Sequence, residues 1–187
     1  MYVLLTCFQV LTDPPLLLCD EPTTGLDSYS AQKIVGMMQN LASKGKTVIC
    51  TIHQPSSQVF SMFDQLLLLA EGRTAYMGSS VGALTFMKDL GFICPEQFNP
   101  ADFYIRTLAV FPGKEDESRE NIRAICDAFA VSEQGKEIEE KARAEIKDMD
   151  YISVHSSNDS VSFGENVSPK CFVYPKSSFI FSCIFSS

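Results

Sequence analysis

Three side chains that could act on a phosphate group follow two apolar runs of the sequence. Asp20 and Glu21 close the run Leu16-Leu17-Leu18-Cys19, and His53 follows a second run that ends at Ile52. An apolar run closed by acidic residues is typical of a buried parallel strand that delivers its last side chains to the carboxyl edge of a sheet. There the first carboxylate can hold Mg²⁺, the second can orient or deprotonate a water molecule, and the imidazole can donate to a terminal phosphate.

A helix is predicted between these two runs. Its apolar residues recur at helical spacing and are Ala31, Ile34, Val35, Met38, Leu41 and Ala42. Ser28 is placed to cap the start of the helix, and Gly45 is placed to end it. Thr47 to Ile52 is rich in β-forming residues, so strand, helix and strand form a crossover unit. Such a unit brings Glu21 and His53 to the same edge of the sheet.

Turn and capping residues predict the elements that follow. Two apolar runs, Gln65 to Ala70 and Thr74 to Met77, flank Glu71-Gly72-Arg73 and therefore indicate a hairpin. A helix is predicted to stop at Gly91, and another is predicted to begin at Asn99-Pro100 with a side-chain cap.

One short segment imitates a phosphate-binding loop without meeting its requirements. Gly45-Lys46-Thr47 has the right ending, but the full pattern needs a glycine five residues before Gly45, where Asn40 stands. The segment also runs from a helix end into a strand, whereas a phosphate loop runs from a strand into a helix whose amides face the anion. Gly45 is therefore interpreted as a helix stop, and Lys46 as a surface charge.

Composition excludes several classes of function. The net charge of -8 argues against nucleic acid as a partner, because phosphate backbones are bound by basic faces. The 7 cysteines include no Cys-x-x-Cys pair, which favours reduced thiols in a cytosolic protein. His155 has no acidic residue or cysteine at ligand spacing, so a metal role there is not expected. No apolar run approaches the roughly 20 residues that cross a bilayer.

Three segments of the sequence together resemble the ATP-binding cassette (ABC) ATPases. They are residues 19–28 (Cys-Asp-Glu-Pro-Thr-Thr-Gly-Leu-Asp-Ser), residues 53–57 (His-Gln-Pro-Ser-Ser) and residues 99–103 (Asn-Pro-Ala-Asp-Phe). More narrowly, the chain resembles the G subfamily of half-transporters, of the White and Scarlet type that moves insect eye-pigment precursors. The similarity extends from about Val10 to about Met149.

The resemblance implies a role for each matching residue and implies ATP and Mg²⁺ as cofactors of the family, with weak or absent binding by this chain alone. Asp20 would act on Mg²⁺ through water, Glu21 would be the general base, and His53 would contact the γ-phosphate. Asp27 would lie across a dimer interface. Gln54 is expected mainly to shape its loop, and it is counted with Asp20 and Asp27 among the cofactor-binding candidates.

The family pattern also predicts fold and domain boundaries. The fold class is α/β, with a partial P-loop NTPase-type parallel sheet, flanking helices and a disordered tail. Residues 1–92 would be the C-terminal half of an ABC nucleotide-binding domain. Residues 93–150 would be a helical connector toward a missing transmembrane domain, and residues 151–187 a disordered tail unlike the family. Within the connector, residues 114–150 are strongly charged and are expected to form solvated helices, with one helical face made of Ile122, Ile125, Cys126 and Phe129.

The predicted function is that of a fragment of an ATP-driven half-transporter. The Walker A loop, Q-loop and signature motif are not found in the 187 residues, so the isolated chain is expected to be inactive. Its partner would be another half-transporter, as a homo- or heterodimer. The parent would lie at the cytosolic face of a membrane, reached only through the missing domain, and the fragment itself would be cytoplasmic.

Two alternatives to this function stay open, and a third is remote. One is a non-catalytic module that pairs with a full-length half-transporter. Another is a gene-model fragment without a stable product. A DNA-repair ATPase with the same core motifs is disfavoured by residues 53–57 and 99–103.

Overall fold

The computed structural model describes residues 15–154 and 178–185, with side chains described for residues 15–144. Predictions for residues 1–14, 155–177 and 186–187, including His155, lie outside the described residues. In chain order the elements are β1 (Leu16–Asp20), α1 (Ser28–Ser43), β2 (Thr47–Thr51), α2 (Ser57–Phe60), β3 (Gln65–Ala70), β4 (Arg73–Ser79), α3 (Ser80–Asp89), α4 (Pro100–Thr107), α5 (Glu115–Val131), α6 (Glu133–Val154) and β5 (Ser178–Phe185).

The five strands form one mixed sheet in the order β1-β2-β5-β3-β4. β1, β2, β5 and β3 are parallel neighbours, and β4 is antiparallel to β3. The predicted crossover unit is confirmed, because β1 and β2 pair in parallel with Leu16 opposite Thr47 and Asp20 opposite Thr51. The carboxyl ends of β1 and β2 therefore meet at one sheet edge.

The predicted hairpin is confirmed as β3 and β4. Its two-residue turn is Glu71-Gly72, with φ of 46° and 74°. Two successive left-handed residues are what a type I′ turn requires, and this turn type matches the twist of the paired strands.

The last strand corrects the prediction of a disordered tail. Ser178–Phe185 lies between β2 and β3, with Ser178 opposite Thr47 and Phe185 opposite Ala70. The helix α6 likewise extends into the predicted tail, to Val154. Disorder was inferred from Ser-rich, aperiodic composition, whereas a central strand is stabilised by backbone hydrogen bonds to both neighbours. Its neighbours are more than a hundred residues away in sequence, so local patterns carried no sign of the pairing.

One face of the sheet packs into the main hydrophobic core. Leu17 and Cys19 of β1 are buried, while Leu16 and Leu18 on the opposite face are exposed. Val35 and Met38 of α1 belong to the same core cluster as Leu17 and Cys19. Complete burial of a side chain of this size stabilises the fold by about 1.5–3 kcal/mol, so α1 contributes strongly to holding β1 and β2 in place.

The helix α5 is part of the folded unit and corrects the prediction of solvated connector helices. Its apolar residues Ile122, Ile125, Cys126 and Phe129 are buried. The Phe129 ring lies 5.6 Å from the Tyr76 ring of β4 and 5.9 Å from the Phe86 ring of α3. The predicted helical face is therefore right, but it packs on the sheet. The hydrophobic core is continuous across the predicted boundary between residues 92 and 93.

Candidate functional site

Hydrogen bonds at the ends of β1 and β2 fix the two candidate carboxylates relative to the second strand. The hydroxyl of Thr51 donates to Oδ1 of Asp20. The backbone N–H of Glu21 is shared between the carbonyl oxygen and the hydroxyl oxygen of Thr51, each 3.0 Å away. Thr51 therefore contacts both residues of the acidic pair, although the sequence analysis gave it no role.

Glu21 stands in a conformation that side chains with a Cβ rarely adopt. Its φ is 45°, in the left-handed region. Such positions are strained and persist only where the surrounding contacts impose them. Here Thr24 supplies two of these contacts. Its hydroxyl donates to Oε2 of Glu21 at 2.9 Å, and its backbone N–H donates to the Glu21 carbonyl at 3.2 Å. The turn thus holds an exposed carboxylate in a defined place next to the end of β1.

Asp27 is the N-cap of α1, which corrects the prediction that Ser28 caps this helix. Oδ1 of Asp27 accepts from the Ser30 N–H at 2.9 Å, and Oδ2 accepts from the Ser30 hydroxyl at 3.0 Å. These bonds favour the ionised carboxylate and hold the pKa of Asp27 below its ordinary value. Ser28 and Asp27 are both good capping residue types, so composition alone could not choose between them. Gly45, with φ of 88°, follows the helix end as predicted.

The loop that carries His53 and Gln54 begins two residues after β2. Both side chains are exposed, whereas Pro55 is buried. Gln54 has a φ of 46°, so this loop, like the turn at Glu21, contains a left-handed residue other than glycine. Ser56, which follows Pro55, caps α2 by accepting from the Val59 N–H at 3.3 Å.

A cleft of about 600 Å³ opens beside this loop. Its lining includes the turn 23–26, the loop 53–56, and Asn99 and Asp102 at the start of α4, together with Ser28 and Ala31 of α1 and Val59 of α2. The cleft therefore contains residues from all three family-like segments, and His53 and Gln54 are among them. Asp20, Glu21 and Asp27 are not in this lining. The acidic pair instead lies at the neighbouring strand end and is linked to the His53 loop through β2.

The donor set at the strand ends suits Mg²⁺ held together with a nucleotide. Within residues 15–154 and 178–185, no group of three or more His, Cys, Asp and Glu side chains could form a complete metal cage. Mg²⁺ commonly binds through one or two carboxylates while phosphates and water fill the other positions. Asp20, already bonded to the Thr51 hydroxyl, can supply one such carboxylate oxygen.

Comparison with known proteins identifies the family. The model described as ABC-2 type transporter matches residues 53–175. The protein white of Drosophila melanogaster is 54% identical over 132 residues, which are 71% of this chain and 19% of that protein. Protein scarlet of the same organism is 51% identical over 138 residues, which are 74% of this chain and 21% of that protein. ABC transporter G family member 13 of Arabidopsis thaliana is 51% identical over 100 residues, 54% of this chain and 15% of that protein.

The chain belongs to the ABC-2 type transporter family. Its relatives also confirm the resemblance to the White and Scarlet proteins of the ABC transporter G subfamily. The chain spans about a fifth of the length of the first curated relatives it matches. The family match begins at His53, so it includes the His53 loop and α2 to α6. β1, α1 and β2, together with Asp20, Glu21 and Asp27, precede the matched residues.

This match corrects one expectation about the membrane. Membrane association was expected only through a domain outside the chain, whereas residues 53–175 match a model of ABC-2 membrane type. Among the residues that the structure describes, no helix is both long enough and apolar enough to cross a bilayer. The assignment of residues 1–92 to a nucleotide-binding domain stays a prediction.

Proposed function

We propose that this ABC transporter chain contributes the water-activating part of an ATP site, and that ATP hydrolysis there is coupled to transport across a membrane. The observation that carries the proposal is the junction of β1 and β2. Asp20 lies opposite Thr51 in the register, and the Glu21 N–H bonds to Thr51. This junction sets the acidic pair and the His53 loop at the same sheet edge, where ligands of open α/β sheets bind.

Each side chain at this edge has a distinct chemical task in the proposal. Asp20 would hold Mg²⁺, directly or through water, and the metal would supply positive charge to the triphosphate. Glu21 accepts a hydrogen bond from the attacking water and takes up its proton as the water oxygen bonds to the γ-phosphorus. His53 donates to an oxygen of the γ-phosphoryl group while the bond to ADP breaks. Inorganic phosphate and ADP are the products.

Three non-glycine residues of the described part of the chain have left-handed backbone; Glu71 lies in the hairpin turn, and the other two support this division of tasks. Glu21 and Gln54 each follow a strand of the β1-β2 pair, and each adopts a conformation that costs free energy for a residue with a Cβ. Strained residues concentrate at sites where a side chain must be presented in one orientation. In this proposal the left-handed backbone of Glu21 orients its carboxylate, and the left-handed backbone of Gln54 changes the direction of the loop immediately after His53.

Asp27 is proposed to order the segment that meets a partner subunit. Both of its carboxylate oxygens already bond to Ser30, so its first task is to fix the start of α1 and the turn before it. The partner is proposed to be a second half-transporter chain, identical or related, at the cytosolic face of a membrane. The transported compounds are proposed to be small molecules such as pigment precursors, as the resemblance to the White and Scarlet proteins implies.

A binding titration with matched variants tests the proposed site. Mg²⁺–ATP is titrated by calorimetry, up to millimolar concentration, into the wild-type chain and into Asp20→Asn. The control is Asp64→Asn, because Asp64 is an exposed carboxylate just before β3 and therefore lies at the opposite edge of the parallel strands. We expect Asp20→Asn to weaken Mg²⁺-dependent binding at least tenfold and Asp64→Asn to leave it unchanged. Equal effects of both variants would contradict the proposed site.

A further inference from the structure

The side chain of Asn99 connects two separate segments of the chain. Its Nδ2 donates a hydrogen bond of 2.8 Å to the backbone carbonyl oxygen of Pro55, 44 positions earlier in the sequence. Its Oδ1 accepts from the backbone N–H of Ala101 at 3.1 Å and so caps α4. The half-buried amide of Asn99 therefore makes two bonds. Its N–H group donates to the His53 loop, and its oxygen accepts from the first turn of α4.

The helix α4 gives Asn99 a rigid base. Phe103 and Tyr104 of this helix are buried. The Tyr104 ring lies 6.1 Å from the ring of Phe60, which is in α2, directly after the His53 loop. The start of α4 is therefore held by packing against the core, and the amide of Asn99 is held with it.

The loop that receives this bond is under backbone strain. Gln54 has a φ of 46°, and the exposed side chains of His53 and Gln54 contribute little packing that would keep the loop in this form. Pro55, between them and α2, has no N–H of its own to donate. Its carbonyl accepts the amide of Asn99, so this bond acts at the residue next to the strained one.

We propose that Asn99 is a positioning residue that holds the His53 loop in its left-handed form and thereby sets the place of the His53 imidazole. The relevance to phosphate binding rests on the proposed function, but the positioning itself does not. The capping of α4 alone would need only the oxygen of Asn99. The donor to Pro55 is a second, separable contact of the same side chain, and it points to the loop that lines the cleft.

The variant Asn99→Asp separates the two contacts. Aspartate keeps an oxygen that can accept from Ala101 N–H, and it is a good capping residue, but it cannot donate to the Pro55 carbonyl. Asn40→Asp is the matched control, because Asn40 is exposed on α1 and its substitution makes the same change of charge. Gln54→Gly is the rescuing change, because glycine adopts the left-handed conformation without the cost that a Cβ imposes.

The readout is the conformation of the loop in the full chain without nucleotide. The His53 ring signals and the backbone amides of Gln54 and Ser56 are followed by NMR and hydrogen exchange. His53→Gln identifies the ring signals, since the chain has 2 histidines. Asn99→Asp is expected to shift the His53 signals and to speed exchange at Gln54 and Ser56 at least tenfold, while exchange at Ala101 stays within threefold. Asn40→Asp is expected to change none of these signals.

The double variant distinguishes a loss of loop positioning from a general loss of folded structure. Adding Gln54→Gly to Asn99→Asp is expected to restore most of the His53 shift, because the loop no longer needs the bond to stay left-handed. An unchanged His53 signal in Asn99→Asp, or exchange that rises equally at Ala101 and the loop, would overturn the proposal. If Asn99→Asp does not fold, Asn99→Ser makes the same test, since its hydroxyl can cap α4 but is too short to reach Pro55.

Addition of Mg²⁺–ATP to the same samples distinguishes a failure of the proposed ATP site from a failure of the positioning role of Asn99. A shift of His53 caused by Asn99→Asp, with no response of His53 to nucleotide in the wild-type chain, would contradict the proposed function and leave the positioning role supported. A nucleotide response that Asn99→Asp does not alter would contradict the positioning role alone.

Discussion

The backbone N–H of Glu21 lies 3.0 Å from both the carbonyl oxygen and the hydroxyl oxygen of Thr51. The hydrogen bonding between β1 and β2 therefore continues one residue past the end of β1, into a residue with left-handed backbone. The position of the Glu21 carboxylate is consequently set by two paired strands and a short turn. This relationship is the structural basis of the proposed site, because His53 leaves the same strand two residues after Thr51.

Replacement of Thr51 by valine tests the contribution of its hydroxyl. Valine has nearly the same shape and a high preference for strands, so a loss of stability must come from the hydrogen bonds to Asp20 and Glu21. We expect Thr51→Val to lower the free energy of unfolding by about 1 kcal/mol, measured by urea denaturation. Thr51→Ser keeps the hydroxyl and should retain Mg²⁺–ATP binding that Thr51→Val weakens. Full binding by Thr51→Val would show that this hydroxyl does not orient Asp20.

The cap of α1 predicts a pH-dependent effect at Asp27. Asp27→Ala should lower the melting temperature at pH 7, whereas Asp27→Asn, which keeps an acceptor for Ser30, and Ser28→Ala should change it little. Hydrogen bonds from Ser30 hold the folded-state pKa of Asp27 below its unfolded value. Its stabilising effect is therefore present at neutral pH and is lost as the pH falls through the folded pKa. The difference between wild type and Asp27→Ala should shrink in acid, and a constant difference would contradict this linkage.

Two glycines in helices should respond to alanine in opposite directions. A Cβ at Gly135, in the first turn of α6, would lie 2.0 Å from the carbonyl oxygen of Phe129. Gly135→Ala is therefore expected to destabilise the chain by about 1–3 kcal/mol. A Cβ at Gly36 in α1 would meet only the Met62 Cε at 3.7 Å, so Gly36→Ala should stabilise by about 0.5–1 kcal/mol. Thermal unfolding of both variants checks the pair, and a loss of stability from both would contradict the packing described at Gly36.

Two buried tyrosines differ in how their hydroxyls are satisfied. The Tyr104 hydroxyl has no hydrogen-bond partner in the described part of the chain, whereas the Tyr76 hydroxyl donates to the Ser79 carbonyl at 3.1 Å. Tyr104→Phe should therefore be neutral or stabilising, and Tyr76→Phe should cost about 1 kcal/mol. Chemical denaturation of both variants measures the contrast. A clear loss of stability in Tyr104→Phe would indicate a partner for its hydroxyl.

Burial also makes the stability of the chain sensitive to alkali. Loss of hydration raises the pKa of Tyr104 and that of Tyr76 above their ordinary value. Between the unfolded and folded pKa values the unfolded chain releases protons that the folded chain retains, so stability falls as the pH rises above about 10. Tyr104→Phe should reduce this fall, as shown by the melting temperature between pH 9 and pH 11.

Local patterns predicted most elements of the first hundred residues. The acidic ends of apolar runs, the helical spacing between Ala31 and Ala42 and the turn at Glu71-Gly72 each reflect interactions between residues close in sequence. The assignment of Asn99 as a helix cap was likewise confirmed, because Oδ1 accepts from Ala101. The second bond of Asn99, to Pro55, has no local signal in the sequence, because that contact depends on how α4 packs against the rest of the fold.

The predictions that were wrong or missing concern contacts between residues far apart in the sequence. β5 joins the sheet through partners in β2 and β3, and only the three-dimensional arrangement brings them together. The charged composition around α5 suggested solvation, yet one apolar face of that helix packs on β4 and α3. Thr51 was overlooked because a threonine at the end of a strand has no local signal. Its contacts with Asp20 and Glu21 follow from the register between β1 and β2.

The proposed ATP site can be located by the position of a bound metal–nucleotide complex. Mn²⁺ replaces Mg²⁺ with similar preference for oxygen ligands and broadens NMR signals of nearby nuclei. With Mn²⁺–ATP added to the isotope-labelled chain, we expect selective broadening at Asp20, Glu21 and His53, with the signal of Asp64 spared. Broadening that spares Asp20 and Glu21, or that is equal at Asp64, would contradict the proposed ATP site.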